Sequence, residues 1–167
     1  RESFMPFVKE MWPSFIGGKH HKIMADAFER VANGDLKRLI INMPPRHTKS
    51  EFASYLFPAW FLGRFPEKKI IQTAHTAELA VGFGRKVRNL VGSTDYQAVF
   101  PTKLSADSKA AGRWNTNKGG DYFAIGVGGA VTGKGADVLI IDDPHSEQEA
   151  MQGNPNVYDR VYEWYSS

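Results

Sequence analysis

Two short apolar runs, nearly a hundred residues apart, each end abruptly in polar residues. Residues 39–41 are Leu-Ile-Ile and lead into the segment 43–50, while residues 138–141 lead directly into Asp142 and Asp143. Short continuous apolar runs are typical of strands that are buried on both faces of a parallel sheet. Ligands of such sheets bind at the carboxyl ends of the strands, so both polar segments hold candidate site residues.

Helical and strand patterns alternate along the chain. Apolar spacing predicts helices over residues 19–33, 49–62 and 76–91, and Pro58 is expected to kink or end the second near Phe57. We predict strands over residues 36–44, 68–75, 121–127 and 138–142. Residues 101–120 and 128–135 are interpreted as loops, and the tail from Gln148 as interrupted helix. The alternation predicts an α/β fold with a mostly parallel central sheet flanked by helices, forming one domain over residues 1–167.

The composition is that of a globular domain with a real core. Of the 167 residues, 42 % are apolar and 23 % are charged. No run approaches the ~18 to 20 apolar residues of a membrane span, and we expect no membrane partner. The absence of cysteine excludes a disulfide framework and a thiolate metal site. The start lacks an initiator Met and a secretory signal, so we expect a fragment or a processed chain.

Residues 43–50, MPPRHTKS, lie between a predicted strand and a predicted helix, which is the context of a phosphate-binding loop. A triphosphate is held by backbone N–H groups at a helix start, by an ammonium group and by a hydroxyl on Mg²⁺. Lys49 would supply the ammonium, Ser50 the hydroxyl and Arg46 a second cation. The expected nucleotide contacts are Pro45, Arg46, His47, Thr48, Lys49 and Ser50.

The loop departs from the pattern G-x-x-x-x-G-K-[ST] at both glycines. Met43 and Thr48 occupy the two glycine positions. The change at Thr48 matters more, because glycine there allows a positive φ and a close approach to phosphate. An ordinary strand-to-helix turn with a solvated Lys49 is the alternative interpretation.

The acid pair suits the other half of a nucleotide site. We expect Asp142, together with Ser50, to hold Mg²⁺, and Asp143 to orient or deprotonate the attacking water. The alternative is a pair of solvated acids before the turn at Pro144. Gln72 and His75, at the end of the strand predicted over residues 68–75, are further candidate contacts. His20 and His21, at a helix start, are interpreted as surface residues that could approach the adenine.

Five segments, taken in order, carry a resemblance to a known family. They are PPRHTKS at 44–50, HTAELAVGFGRKVRNL at 75–90, GRWNT at 112–116, GVGGAVTGKGAD at 126–137 and VLIIDDP at 138–144. Together they are similar to the large subunit of tailed-bacteriophage terminases, over nearly the whole chain. The resemblance implies a RecA-like phosphate-loop ATPase of the ASCE type that uses ATP and Mg²⁺.

The same resemblance implies partners and a cellular context. The motor would drive double-stranded DNA into a procapsid in the host cytoplasm, holding the DNA backbone without sequence preference. Its expected protein partners are the portal, the small terminase subunit and further copies of itself in a ring. The basic runs at residues 37–38, 68–69 and 85–88 and the net charge of +3 are compatible with DNA, although a solvated surface also explains each run. The family's nuclease domain would be absent, so we expect no nuclease activity.

The resemblance also assigns catalytic roles to named positions. Asp143 occupies the catalytic acid position, where many members carry Glu, and Arg46 would clamp or sense the γ-phosphate. Lys134 is the candidate basic residue that reaches a neighbouring subunit's ATP, with Arg113 as a competitor. Two other functions stay open: another nucleic-acid-dependent phosphate-loop ATPase of helicase type, and a nucleotide-binding module with little turnover.

Overall fold

The structure of the chain, a computed structural model, describes residues 1–131 and 133–166. Five strands are formed there: β1 Lys69–Ala74, β2 Leu104–Ala110, β3 Arg113–Thr116, β4 Asp121–Gly126 and β5 Val138–Ile141. They make one sheet in the order β2-β3-β4-β1-β5. Strand β1 is parallel to both β4 and β5, whereas β3 is antiparallel to both β2 and β4. The fold is therefore α/β, but its sheet is mixed rather than mostly parallel.

The helices match most of the predicted helical segments. They are α1 Phe4–Met11, α2 Lys19–Ala32, α3 Phe57–Arg64, α4 Ala77–Val91, α5 Thr94–Val99, α6 Glu147–Met151 and α7 Asn156–Ser166. The predictions over residues 19–33 and 76–91 and in the interrupted tail are confirmed. No helix within the described residues is both long enough and apolar enough to cross a bilayer.

Helix α4 packs against β1 and β4, and the buried core extends from there to α1, α2 and α3, which contribute Phe4, Phe28 and Trp60. Thr76 begins this helix, since its hydroxyl accepts a hydrogen bond from the Leu79 N–H at 3.2 Å. Gly84 lets the helix approach the hairpin of β2 and β3, and its carbonyl accepts a hydrogen bond from the Trp114 indole at 3.2 Å. Trp114 in turn stacks on Tyr122 of β4, with ring centroids 4.8 Å apart. These contacts fix α4 over the middle of the sheet.

The prediction of loops over residues 101–120 is wrong, because β2 and β3 form a hairpin there. Strand β2 lies at the edge of the sheet, so its side chains are mostly exposed or half-buried and lack an apolar pattern. The aromatic residue that the hairpin buries is Trp114 of β3, which is fully inaccessible to solvent. Trp114 therefore anchors a strand pair whose other residues have the polar composition that is typical of a loop.

The prediction of a buried strand over residues 36–44 is also wrong. This segment has no regular secondary structure, and Ile40 is 85 % exposed. It faces β5 across a cavity of about 1300 Å³ and forms no ladder with it. Strand β5 itself is confirmed, but its full burial is not, because Leu139 and Ile141 remain 45 % and 39 % exposed. An apolar run forms a strand only where a neighbouring backbone offers hydrogen bonds.

The helix predicted over residues 49–62 continues past Phe57 to Arg64, with a π-helical segment, Glu51–Leu56, inside it. Pro58 has no N–H and so cannot form the α-helical bond to the Ser54 carbonyl. Instead, the Phe57 N–H donates to the Phe52 carbonyl, five residues earlier. The proline therefore widens the preceding turns rather than ending the helix.

The close approach at Gly84 gives a test of this packing. A Cβ at Gly84 would lie 2.4 Å from the Ala111 carbonyl oxygen, whereas one at Gly82 in the same helix would meet nothing within 4 Å. We expect Gly84→Ala to lower the free energy of unfolding by about 1–3 kcal/mol through overpacking. Gly82→Ala should raise it by ~0.5–1 kcal/mol, since alanine restricts the unfolded chain. Urea denaturation of both variants measures this, and equal stabilisation by both would contradict the packing.

Candidate functional site

The loop before residue 49 has an unusual backbone. Arg46 and Thr48 adopt φ of 64° and 61°, whereas His47 between them does not have a positive φ. Such alternation turns successive N–H groups toward one side and forms a concave anion-binding nest. Within the described residues, the N–H groups of Arg46 and Thr48 donate to no other group. The loop thus presents free donors at the start of a helix, although Thr48 replaces the expected glycine.

A side-chain contact supports the unusual conformation of Thr48. A positive φ costs roughly 1–2 kcal/mol for a residue with a Cβ, and β-branched residues adopt it rarely. The Thr48 hydroxyl lies 2.6 Å from Nε2 of His21 and donates to the His47 carbonyl at 2.6 Å. His21 is only 6 % exposed. The prediction of a surface role for His20 and His21 therefore fails for His21, which holds the loop from α2.

The hydrogen bonds of His21 define its protonation state. Its Nδ1 accepts the Gly18 N–H at 2.8 Å, so Nε2 carries the ring proton and donates it to Thr48. Burial lowers the pKa of His21 below its ordinary value, and the nearby His20 and His47 lower it further. The neutral imidazole is therefore the form that fits the site.

The two predicted motifs meet through an ion pair. Lys49 Nζ lies 3.5 Å from Asp143 Oδ1, so the loop lysine and the second acid are neighbours. The side chains are 29 % and 65 % exposed, and exposed pairs contribute little stability. Lys49 can therefore exchange this partner for a phosphate at small cost.

Asp143 is held mainly through its backbone. It adopts φ of 43°, the third positive φ of a non-glycine residue in the described chain. Its carbonyl accepts hydrogen bonds from the His75 N–H and from His75 Nδ1, both at 3.2 Å. Backbone strain of this kind clusters at functional sites. The candidate residue His75 therefore lies beside the acid pair, as a support for Asp143.

Asp142 has a partner that the sequence prediction missed. Its Oδ2 accepts a hydrogen bond from the Ser54 hydroxyl at 2.7 Å, and its N–H donates to the Thr73 carbonyl at 2.9 Å. Ser54 lies four residues after Ser50, and that spacing in a predicted helix is a signal that both face the same side. The predicted metal residues Ser50 and Asp142 are thus linked through the intervening helical turn.

The cavity of about 1300 Å³ gives the acid pair its surroundings. Lys49, Asp142 and Asp143 lie on its wall, together with the irregular residues 37–44 and the exposed face of β5. Three tyrosines of α7 complete it: Tyr158, Tyr162 and Tyr165. The predicted cation Lys49 and both acids therefore share one concave region, whereas residues 45–48 and Ser50 do not line it.

The two candidate trans-acting cations lie elsewhere, next to each other. Lys134 Nζ is 3.5 Å from the centroid of the Phe123 ring, and the Arg113 guanidinium carbon is 5.5 Å from it. Arg113 also pairs with Asp121 at 3.6 Å, and both cations line a small cavity of about 180 Å³. Among the described residues neither contacts Lys49 or the acid pair. Contact within one chain is not required of a residue that acts on a neighbouring subunit.

The residues present fit Mg²⁺ bound together with phosphate rather than Mg²⁺ alone. No group of three or more His, Asp or Glu side chains in the described part of the chain could hold a metal ion. Magnesium commonly binds to one or two carboxylates plus substrate phosphates and water. Ser50 and Asp142 would supply one hydroxyl and one carboxylate, which matches that mode.

The strain at Thr48 can be separated from its hydrogen bond by two substitutions. Thr48→Val keeps the Cβ at positive φ and removes the hydroxyl, whereas Thr48→Gly removes both. We expect the Val variant to be less stable than the Gly variant by about 1–2 kcal/mol, the cost of the left-handed conformation. Urea unfolding measures the difference, and equal stabilities would mean that Thr48 is not strained.

The lowered pKa of His21 predicts a pH dependence of stability. The folded state binds a proton at His21 less tightly than the unfolded chain does. The contribution of neutral His21 to the free energy of unfolding is therefore fully present above its ordinary pKa of 6.5. That contribution declines as the pH falls from there toward the lowered pKa, where protonation removes the acceptor for Gly18. We expect His21→Gln to flatten the decline in the free energy of unfolding between about pH 7 and 5. His75→Gln is the matched control, and an unchanged slope in His21→Gln would contradict the assignment.

In comparisons with known proteins, no family model, curated protein or solved structure matches the chain. The distinctive features of the candidate site are a loop with alternating backbone φ, a lysine paired with an acid, and a second acid tied to the helix that follows the loop.

Proposed function

We propose that the chain is the ATP-hydrolysing domain of a viral DNA-packaging motor of the terminase large-subunit type, with a RecA-like core. The observation that carries the ATPase part is the geometry of the loop. Thr48, at the second glycine position, adopts the positive φ that glycine would favour, Arg46 also has a positive φ, and Lys49 Nζ lies 3.5 Å from Asp143 Oδ1. Two sequence motifs separated by more than ninety residues thus lie next to each other, which supports the proposal.

The loop would bind the phosphates of ATP. The free N–H groups of Arg46 and Thr48 and the helix start would provide donors and a positive dipole end. Lys49 would leave Asp143 and place its ammonium against the β- and γ-phosphates. Arg46, whose side chain is exposed at the loop, would add a second charge at the γ-phosphate.

Ser50 and Asp142 would hold the Mg²⁺ that accompanies the nucleotide, directly or through water. The ion neutralises charge that develops on the phosphates during transfer. Release of Lys49 leaves the Asp143 carboxylate without its cation, beside the cavity. It would then orient the attacking water or accept its proton, the role that the family assigns to this position.

The DNA-motor part of the proposal depends on the sequence resemblance and the charge. Arg85 and Lys86 are exposed on α4, and Lys37 and Arg38 are exposed beside the cavity. Such clusters favour contact with a phosphate backbone, which is strongly salt-dependent and independent of sequence. A neighbouring subunit would supply the remaining cation, for which Lys134 and Arg113 are the candidates.

Two substitutions test the ATPase site. We expect Lys49→Ala to lose ATP binding and hydrolysis, because the phosphates lose their ammonium. Asp143→Asn should keep binding and lower single-turnover hydrolysis by ~10²-fold or more, as expected for loss of a catalytic base. Lys22→Ala and Asp26→Asn change exposed charges on α2 and are the matched controls. Full hydrolysis in both site variants would refute the assignment.

Binding without turnover in the unmodified protein, even with added DNA and procapsid, would favour the nucleotide-binding module.

The motor can be distinguished from a helicase-type ATPase by its activators. ATP hydrolysis by the full-length protein should rise with double-stranded DNA and procapsids, and the affinity for DNA should fall steeply with salt. Stimulation by single-stranded nucleic acid alone would instead favour a helicase-type enzyme.

A further inference from the structure

A fully buried amide lies in the middle of the sheet. Gln72 of β1 is inaccessible to solvent, and its neighbours in the ladder are Ala124 of β4 and Ile140 of β5. Burial of an amide among apolar residues is costly unless the amide is hydrogen-bonded. Its position therefore calls for a specific partner.

That partner is the serine that contacts Asp142. Gln72 Nε2 donates to Ser54 Oγ at 3.2 Å, and Ser54 Oγ donates to Asp142 Oδ2 at 2.7 Å. A serine hydroxyl has a single proton, so giving it to Asp142 leaves the oxygen free to accept from Gln72. The chain of donors thus runs in one direction and ends on a carboxylate, while the buried Gln72 Oε1 has no partner among the described residues.

The burial of this chain makes its geometry rigid. Ser54, like Gln72, is fully buried. Aligned hydrogen bonds in a low-dielectric interior polarise and strengthen one another, and the bond to the carboxylate is charge-assisted. Asp142 Oδ2 is therefore fixed, while Oδ1 accepts no hydrogen bond from the described residues and is left for a ligand from the cavity.

We propose that Gln72 and Ser54 are positioning residues that orient Asp142 for the Mg²⁺ of a bound nucleotide. The inference rests on the proposed ATPase function and identifies residues that act through Asp142 without touching the nucleotide. Ser54 belongs to the helix that begins at the phosphate loop, whereas Asp142 follows β5. The contact between Ser54 and Asp142 would thereby fix the positions of the two proposed ligands of the ion, Ser50 and Asp142, relative to each other.

Binding of a fluorescent ATP analogue, titrated with Mg²⁺ and separately in EDTA, tests the inference. We expect Ser54→Ala and Gln72→Leu to raise the Mg²⁺ concentration for half-maximal binding by ~10-fold or more, the usual effect of losing an outer-sphere partner. Affinity in EDTA should stay unchanged. Ser54→Thr keeps a hydroxyl and should restore the normal Mg²⁺ requirement.

Thr102→Val is the matched control for loss of a buried hydroxyl. Thr102 is 1 % exposed and donates to the Leu62 carbonyl at 3.2 Å, so its loss should lower stability without changing the Mg²⁺ requirement. If Ser54→Ala and Gln72→Leu behave like Thr102→Val, their role is structural and the inference is overturned, while Mg²⁺-dependent binding by the unmodified protein would keep the proposed function. Failure of the unmodified protein to bind the analogue would overturn both.

Discussion

The parallel pairing of β1 with β5 is the contact on which the site depends. It aligns Thr73 with Ile141, and one residue further the Asp142 N–H donates to the Thr73 carbonyl. The next contact joins the His75 N–H to the Asp143 carbonyl. The acid pair is therefore not at the tip of a free loop, because the ladder continues beyond the strand and fixes both backbones. A shift of one residue in the register between β1 and β5 would exchange the sheet faces on which Asp142 and Asp143 lie.

The loop is built from residues that do not favour its shape. Two of its residues take a positive φ without being glycine, and the structure stabilises one of them through His21. This support comes from α2, so the N-terminal helices contribute to the conformation of the loop before Lys49 as well as to the core. Aromatic contacts add to it, since Phe15 and Phe52 pack against the His21 ring with centroids 4.8 and 5.0 Å away. A rigid packed scaffold thus offsets a locally unfavourable sequence.

The sequence predicted the parts of this protein that local patterns determine. The helices over residues 19–33 and 76–91 have strong apolar periodicity, and β1 and β5 are short apolar runs. The position of the acid pair followed from the end of β5. The failures involve distant partners: the hairpin of β2 and β3 depends on stacking of Trp114 on Tyr122, and residues 36–44 stay irregular without a paired neighbour. The His21 contact with Thr48 leaves no periodic signal, and the four-residue spacing of Ser50 and Ser54 indicates a shared helix face but not the contact with Asp142.

Pro58 affects the candidate site through the helix that carries Ser54, although it belongs to none of the sequence motifs. A proline in a helix removes one hydrogen bond, here the bond to the Ser54 carbonyl, and the turns before it widen into a π-helix. Such π turns are frequent at functional sites because they redirect side chains that a regular helix would place elsewhere. The widened segment, Glu51–Leu56, begins directly after Ser50 and contains Ser54, so it affects the relative positions of the two serines proposed to serve the metal side of the site. Pro58 therefore removes a hydrogen bond from the helix and, through the widened turns, sets the direction from which Ser54 reaches Asp142.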